Sequence, residues 1–329
     1  MEKVSIGIDI AKDWCDLAVL AIETNTVLLE ARFAQRAADH QRLIASLARF
    51  DVVHLVLEAT GVYHLQLTQA LVEAALPVSV INPLQLRRFA QMKLRRTKTD
   101  QVDARLLAHY GREQKPPLHV MASQTQQHLA RLQRHIALLV KMRTMLLNAS
   151  HAQSHDLCQP AICQQVMSAE LAQLQHDIAR LEAEQARLLA VAFAPVRDLL
   201  LSIPGIGPRT VMALLAYLGD FSGFRHAGAL SAFMGLNPVL WESGQWRGQV
   251  HISKQGHAGL RCLLYLCALS AVRSNAPCRR LYERLRAKGK PAKVAYIAVA
   301  NKLLRQVIAV VRSGVPFDNE YEEKRALAA

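Results

Sequence analysis

The first part of the chain alternates between short apolar runs and segments with helical spacing. Apolar runs of strand length occur at 4–10, 14–22, 27–33, 52–57 and 78–81. Helical spacing over 38–49 and 63–75 predicts two helices between the later strands, and Asn82 with Pro83 interrupts the pattern. Three consecutive strands followed by alternating helices and strands indicate an α/β domain with a mixed sheet.

The middle of the chain has a different pattern. After two prolines at 116–117, the segments 124–150 and 165–191 are rich in Leu, Ala, Gln and Arg and contain no glycine. Their apolar residues recur at intervals of three and four, which predicts a helical hairpin or coiled coil broken near Pro160. Such a unit commonly joins domains or subunits, so we expect self-association through it.

The last third predicts further helices. Gly205 and Gly207 lie between two apolar segments and predict a helix-hairpin-helix, whose backbone N–H groups suit a phosphate. An ordinary turn between two helices is the alternative. Apolar helices are also predicted at 260–272 and 294–311, and residues 319–329 have the composition of a frayed tail.

Charge narrows the class of partner. The 329 residues carry a formal net charge of +14, with a pI near 9.8. Such an excess favours a polyanion, most often nucleic acid, although a merely basic soluble protein would share it. Aromatic residues make up only 5% of the chain, which argues against stacking on single-stranded bases as the main binding mode.

Cysteine usage and the termini point to the cytoplasm. The six cysteines form no C-x-x-C pair, and we expect them to be reduced and mostly structural. Met1 leads directly into a charged pair and a strand, so no signal peptide is expected. We also expect no apolar run of membrane-spanning length.

Four acids stand at positions where metal ligands are often found. Asp9 and Glu58 lie near the ends of predicted strands, while Asp100 and Asp103 share the first turn of a helix that Thr99 would cap. Together they could hold divalent cations, since Mg²⁺ prefers oxygen ligands and phosphate. The alternatives are a solvated acidic helix start and separate salt bridges. The candidate partners for such bridges are Lys12, Arg88 and Arg105.

Basic residues surround these acids and a later polar loop. The run before Asp100 contains Arg87, Arg88, Lys93, Arg95, Arg96 and Lys98. These side chains could line a phosphate path, or simply form a solvated helix face. Ser243 lies in a polar Ser-Gly loop, which by itself usually marks a turn. Arg247, Lys254 and His257 follow it and could stabilise phosphate charge.

Motifs in this order resemble those of the DEDD insertion-sequence transposases, which are relatives of the Piv-type DNA invertases and are described as bridge-RNA-guided recombinases. The matching stretches are Gly7-Ile8-Asp9-Ile10-Ala11-Lys12, Glu58-Ala59-Thr60-Gly61, Lys98-Thr99-Asp100-Gln101-Val102-Asp103-Ala104-Arg105, Ile203-Pro204-Gly205-Ile206-Gly207, Glu242-Ser243-Gly244, Ser253-Lys254, Gly256-His257 and Ser313-Gly314-Val315-Pro316-Phe317. They extend over nearly the whole chain. One difference is the loop after Ser243, which is Gly-Gln-Trp-Arg-Gly where another small polar residue would be expected.

The resemblance implies a domain plan. It implies a RuvC-like, RNase-H-type α/β domain at 1–118 that binds Mg²⁺ or Mn²⁺. A coiled-coil linker would follow at 119–194, then an α-helical transposase domain with the helix-hairpin-helix at 195–318 and a flexible tail at 319–329.

The resemblance also implies a chemistry. Asp9, Glu58, Asp100 and Asp103 fall on the family's four metal-binding acids, and Ser243 falls on its nucleophile, which holds a DNA strand covalently. A structured non-coding guide RNA would pair with double-stranded donor and target DNA, and the acids and serine would come together in a dimer or tetramer.

Three other functions remain open at this stage. A metal-dependent junction nuclease would need the acids but not Ser243. A non-catalytic nucleic-acid-binding protein would need neither. An actin-like sugar kinase also begins with a Gly-Ile-Asp strand, but the later Gly-rich phosphate loops that it needs are not found.

Overall fold

The computed structural model describes residues 1–94, 100–155, 160–240, 242–243, 246–247 and 250–321, with the backbone alone described at 100–101, 242–243 and 246–247. Thr99, Arg95, Arg96, Lys98 and Cys158 lie outside these residues. The chain divides into two compact units, Met1–Ala122 and Ser123–Ala329. The segments 119–194 and 195–318, predicted as separate domains, fall almost entirely in the second unit.

The N-terminal unit is built on one five-stranded mixed sheet. Its strands are β1 (Lys3–Ile10), β2 (Trp14–Ala21), β3 (Val27–Ala34), β4 (Asp51–Glu58) and β5 (Val78–Ile81). Their order is β3-β2-β1-β4-β5, with β1, β2 and β3 antiparallel and with β4 and β5 parallel to β1. This confirms the predicted strands and the mixed sheet of an α/β domain.

Helices cover both faces of this sheet. They are α1 (Ala37–Leu47), α2 (His64–Glu73), α3 (Pro83–Met92) and α4 (Asp100–Gln114). On one face, α1 and α2 pack on Ile6, Ile8, Leu55 and Leu57 of the central strands. On the other face, α3 and α4 enclose a smaller core that includes Val56. Because side chains alternate along a strand, the odd-numbered residues of β1 and the even-numbered residues of β4 point toward α4.

The C-terminal unit is mainly helical. Its helices are α5 (Gln124–Gln153), α6 (Ala161–Ala192), α7 (Ala194–Leu201), α8 (Pro208–Leu218), α9 (Ala227–Met234), α10 (Ala258–Ser274), α11 (Ala276–Ala287) and α12 (Ala292–Ser313). The amide of Gln185 on α6 donates to Gln133 on α5 over 3.0 Å, and Leu129 and Leu189 share one core with the later helices. The long helices therefore form a hairpin. The coiled-coil geometry and the helix-hairpin-helix remain predictions.

Helix α12 corrects one expectation. By length and composition alone it is apolar enough to cross a membrane, contrary to the expectation from the sequence. Half of its most apolar window is buried inside the unit, where Val299, Leu303, Leu304 and Val307 are fully covered. These contacts are those of a core helix in a globular unit.

The polar segment after α9 contains short strand pairs rather than only loop. β6 (Pro238–Val239) pairs with β9 (His251–Ile252), and β7 (Glu242–Ser243) pairs with β8 (Trp246–Arg247). At the other end of the unit, Asn319 accepts a hydrogen bond from the backbone N–H of Ala276 over 3.0 Å. The first residue of the predicted tail is therefore tied to α11.

The cysteines whose placement is described all carry free thiols, as predicted. Cys15, Cys267 and Cys278 are buried, while Cys163 and Cys262 are exposed. Burial, reinforced by the neighbouring charge of Asp16, raises the pKa of Cys15 to about 12. Because the thiolate is the reactive form, Cys15 has a structural role.

Candidate active site

Helix α4 lies directly on β1. Ser5 Oγ donates to the carbonyl oxygen of Ala108 over 2.7 Å. A methyl group on Gly7 would overlap the Ala104 carbonyl oxygen and would stand 2.7 Å from Leu107 Cβ. One on Gly111 would stand 2.7 Å from Ser5 Oγ. The absence of a side chain at Gly7 and Gly111 therefore lets the helix approach the sheet this closely.

These contacts set the register of α4 on β1. Moving from Ser5 to Gly7 along the strand corresponds to moving back from Ala108 to Ala104 along the helix. Two strand residues span ~6.6 Å and four helical residues ~6 Å, so the two steps match. One further step brings Asp9 level with residue 100, where α4 begins. The backbone positions of Asp9, Asp100 and Asp103 thus come to the same end of the sheet.

Glu58 joins this end from the neighbouring strand. Ile8 pairs with Leu57 in the parallel β1–β4 register, so Asp9 and Glu58 occupy the next positions on strands that lie ~4.8 Å apart. By strand alternation both carboxylates are on the α4 face. The side chains of Asp9, Glu58 and Asp103 are partly buried. Three of the four predicted acids therefore share one face and one end of the sheet.

The chemistry of these side chains fits a hard divalent cation, since carboxylate oxygens are the ligands that Mg²⁺ prefers. However, no group of three or more His, Cys, Asp or Glu residues forms a metal-ligand set among the side chains that the structure describes, which do not include Asp100. The four-acid metal site therefore stays a prediction that rests on backbone placement.

Arg105, one of the candidate partners for the predicted acids, is paired with Glu30. Its guanidinium donates to both carboxylate oxygens of Glu30 on β3. This interaction raises the pKa of Arg105 and lowers that of Glu30. A salt bridge from Arg105 was one of the alternatives to a metal site. Its guanidinium is already paired with Glu30.

The described residues of the basic run before Asp100 differ in their surroundings. Lys93 Nζ forms an ion pair with Glu113 on α4 at 2.7 Å and lies 5.4 Å from the centre of the Phe89 ring. Lys93 thus helps to hold α3 against α4. Arg87 and Arg88 are exposed on α3. Contact between these arginines and nucleic acid remains a prediction.

Ser243 lies at the end of a short hairpin. It pairs with Trp246 across the β7–β8 ladder, and two residues separate the strands. At the base, Pro238 pairs with Ile252, and the Ser253 N–H donates to Asn237 over 2.8 Å. Ser243 therefore lies in a short antiparallel strand pair of the C-terminal unit.

The segment after the hairpin is fastened to the C-terminal end of α9. The N–H of Lys254 donates to Gly235 over 3.1 Å, and that of His257 donates to Phe233 over 3.0 Å. Arg261 Nη1 donates to Met234 over 2.9 Å. The segment with the two short strand pairs, 238–252, carries Ser243 and is called the serine hairpin below. The stretch 253–257 fixes its base on the helical unit. The Lys254 side chain is exposed.

His257 positions this segment. Its Nδ1 accepts from the Leu260 N–H at 3.1 Å as the N-cap of α10, and its ring centre lies 4.2 Å from that of Tyr217. Burial, with a smaller contribution from Arg261, lowers the pKa of His257. A capping Nδ1 must be unprotonated, so the proton of the neutral ring is on Nε2. We therefore expect a neutral positioning residue rather than a phosphate-binding cation.

Gly205 and Gly207 have different surroundings. At Gly205, where φ is +100°, an added Cβ would stand 2.6 Å from Ala271 Cβ, so this glycine allows α10 to pack on the turn. Gly207 caps α8, and an added Cβ there would meet nothing within 4 Å. The turn between α7 and α8 thus has an open side at Gly207, but phosphate binding by it remains a prediction.

Sequence reasoning missed the residues that position α4. Ser5, Gly7 and Gly111 carry no reactive group, so a search for chemistry passed over them. The signal was the row of small residues Ala104, Ala108 and Gly111, whose spacing of four and three marks one helix face.

Comparisons with known proteins show which family the chain resembles. A family model described as "Transposase", of the DEDD IS110 type, matches residues 6–154, and one described as "Transposase IS116/IS110/IS902 family" matches residues 197–283. The pilin gene-inverting proteins of Moraxella bovis and Moraxella lacunata are each 32% identical to the chain, over 98% of its length and 100% of theirs. A probable family 20 transposase of Pseudomonas aeruginosa is 34% identical over 46% of this chain and 48% of its own.

Among solved structures, T. thermophilus RuvC in complex with a Holliday junction substrate aligns with 36% of this chain and 99% of its own. Its TM-score is 0.30 and its sequence identity is 17%. The family assignment rests on the full-length relatives and the two family models. The chain belongs to the family of the IS110-type transposases and the pilin gene-inverting proteins.

Proposed function

We propose that this DNA recombination enzyme exchanges strands by attack of Ser243 on a phosphodiester, with Mg²⁺ or Mn²⁺ held by Asp9, Glu58, Asp100 and Asp103. The observation that carries the proposal is the register of α4 on β1, which brings the backbone positions of the acids to one end of the sheet. Full-length similarity to DNA-inverting relatives supports the reaction class.

The serine step balances without an outside energy source. Ser243 Oγ gives up its proton and bonds to phosphorus, while the bond from phosphorus to the leaving deoxyribose oxygen breaks and that oxygen leaves as a hydroxyl. Attack by another DNA hydroxyl reverses the step and frees the serine. Each transfer replaces one phosphoester bond with another, so no ATP is required.

The acids and the hairpin contribute different parts. A bound divalent ion supplies Lewis-acid polarisation of the phosphodiester and lowers the cost of ionising a hydroxyl. The carboxylates would hold that ion on the sheet. The backbone hydrogen bonds of the stretch 253–257 fix the base of the serine hairpin. This chemistry needs no Ser–His–Asp arrangement, which accords with the capping role of His257.

We propose double-stranded donor and target DNA and a structured non-coding guide RNA as the partners. The net charge of +14 supports binding to polyanions. The guide RNA is inferred from the resemblance, and it would supply the sequence specificity by pairing with both DNAs. Action on chromosomal DNA would place the protein in the bacterial cytoplasm.

Inversion of a DNA segment is a second candidate outcome of the same chemistry. It is favoured by the relatives named as pilin gene-inverting proteins, which this chain matches over their whole length. Inversion and transposition differ in how the exchanged ends are joined, not in the attacking group.

The test is a plasmid reaction with element ends in direct and inverted orientation, purified protein, Mg²⁺ and the RNA that co-purifies with it. Sequencing of the junctions distinguishes insertion or excision from inversion. Asp9→Asn and Ser243→Ala should both abolish new junctions. DNA cleavage that persists in Ser243→Ala would support a metal-dependent nuclease. Wild-type and variant proteins that bind DNA but never alter it would support a binding protein.

A further inference from the structure

The C-terminal unit contains an open cavity between α9, α11 and α12. Its volume is about 780 Å³, in the range of ligand-binding cavities and large enough for a nucleotide-sized group. Among the residues that the structure describes, four that line the cavity are cations and none is an acid. The cations are Arg280 and Arg284 on α11 and Lys302 and Arg305 on α12.

The charge on these walls is concentrated. Arg280 and Arg284 are four residues apart, and Lys302 and Arg305 three apart, so each pair shares one helix face. Like charges at this spacing repel and weaken their own helix. Helices α11 and α12 together contain eight Lys or Arg residues against one acid, Glu283. Cations gathered around one concave surface create a positive potential that favours an anion.

The floor of the cavity is held rigidly. Ser231 Oγ donates to Asn301 Oδ1 over 2.6 Å, and Asn301 Nδ2 donates to the Leu236 carbonyl over 3.1 Å. These bonds tie α9 to α12, so the floor of the cavity is fixed relative to the α12 wall that carries Lys302 and Arg305. The first turn of α9, with Ala227 and Gly228, opens into the same space and adds the positive end of a helix dipole.

Two residues that line the cavity are close in sequence to Ser243. Asn237 and Pro238 line it, and Pro238 begins the strand pair that leads to Ser243. The five residues from Pro238 to Ser243 span at most ~17 Å when fully extended. Successive phosphates of one strand of duplex DNA are ~3.4 Å apart along the helix axis. A phosphate in the cavity and a phosphodiester at Ser243 can therefore lie within about five nucleotides of each other on one strand.

We propose that this cavity binds the phosphate backbone of the DNA strand that Ser243 attacks, a few nucleotides from the point of attack. Arg280, Arg284, Lys302 and Arg305 supply the charge. The rigid floor fixes where the strand lies relative to the serine hairpin. The inference rests on the proposed function for the identity of the strand, but DNA binding in the cavity can be measured without catalysis.

The test compares two double variants of the full-length protein, both in a Ser243→Ala background so that no strand is cut. Arg284→Gln with Arg305→Gln removes two cavity cations. Arg286→Gln with Lys293→Gln removes the same charge from exposed positions on the same two helices, outside the cavity. Thermal unfolding of both should match that of the parent, since all four side chains are exposed.

The measurement is affinity for duplex DNA bearing an element end, as a function of salt. The cavity variant should lose at least tenfold at 0.15 M salt, and its slope of log K against log salt should fall by about 1 to 2, since each duplex phosphate contact contributes ~0.9. The control variant should lose less than threefold. Equal losses in the two variants, or no loss in either, would overturn the proposal, as would a loss confined to structured RNA.

A second measurement locates the contact. Uncharged methylphosphonates placed one at a time along the strand should weaken parental binding at one or two positions, and the cavity variant should be insensitive to those substitutions. If the cavity variant were weakened by the same methylphosphonates as the parent, and to the same extent, the proposal would be overturned. These binding results do not depend on a covalent intermediate, so failure of the serine chemistry would be recognised separately in the wild-type protein.

Discussion

Gly7 of β1 and Ala104 of α4 approach so closely that a methyl group on Gly7 would overlap the Ala104 carbonyl oxygen. The helix whose first turn carries Asp100 and Asp103 can lie on the strand that carries Asp9 only because Gly7 has no side chain. A residue with no chemical function thus determines whether the proposed metal ligands can meet.

Gly7→Ala should therefore displace α4 from the sheet. We expect a loss of at least about 2 kcal/mol in the free energy of unfolding, since the new methyl group meets helix backbone that cannot rotate away. Strand exchange should fall with it. Gly223→Ala is the control, because an added Cβ there meets nothing within 4 Å. A Gly7→Ala protein with the melting temperature and activity of the control would contradict the close contact.

Metal binding can be measured apart from catalysis. Asp9→Asn should weaken Mn²⁺ binding by at least tenfold, because a neutral amide replaces a carboxylate ligand. The matched control is Asp51→Asn, an exposed acid at the opposite end of β4 from Glu58. Calorimetric titration of the full-length variants compares them. Equal Mn²⁺ affinity in the two variants would show that Asp9 holds no metal.

The sequence predicted the sheet better than it predicted the small elements. All five strands were found because each is a short segment in which apolar residues predominate, and the long helices because their apolar spacing persists for many turns. Helix α9 was missed because eight residues are too few to establish a period, and α11 because its arginines obscure its apolar face. The short ladders around Ser243 depend on pairing between distant residues, which no local pattern reveals.

Only part of the candidate site could be predicted from the sequence. The acids were identified because a charged residue at the end of a buried strand requires a partner. Their common face depends on the register between β1, β4 and α4, which is set by tertiary contacts at Gly7 and Gly111. The cationic cavity was not predicted, since Arg280, Arg284, Lys302 and Arg305 are brought together only when α11 packs on α12.

The capping role of His257 predicts a pH dependence. Its pKa is lowered in the folded state from an ordinary value of 6.5, so as pH falls below about 6.5 the unfolded chain takes up the proton more readily and folding stability decreases. His257→Asn keeps a capping oxygen but cannot titrate. The melting temperature of wild type should thus fall more steeply than that of His257→Asn between pH 6.5 and 5. Parallel curves would argue against a neutral capping histidine.

The predicted self-association of the long hairpin can be tested on its exposed apolar residues. Leu138, Met142 and Met145 follow a spacing of four and three on α5, and their side chains are 51%, 46% and 63% exposed. Leu138→Glu with Met145→Glu should reduce the mass measured by light scattering, because burying two carboxylates in an apolar interface is unfavourable. Thr144→Glu, at a neighbouring exposed position, should leave the mass unchanged. Unchanged mass in the double variant would count against association through this face.

The most direct test of the central claim is a search for a covalent link between Ser243 and DNA. End-labelled element DNA is incubated with protein, Mg²⁺ and guide RNA, then denatured and resolved by size. Wild type should yield a labelled protein–DNA adduct, and peptide mapping should locate the attached nucleotide on Ser243. The adduct should be absent in Ser243→Ala, which should still bind DNA, and in Asp9→Asn. New DNA junctions formed by Ser243→Ala at the wild-type rate would contradict the serine mechanism.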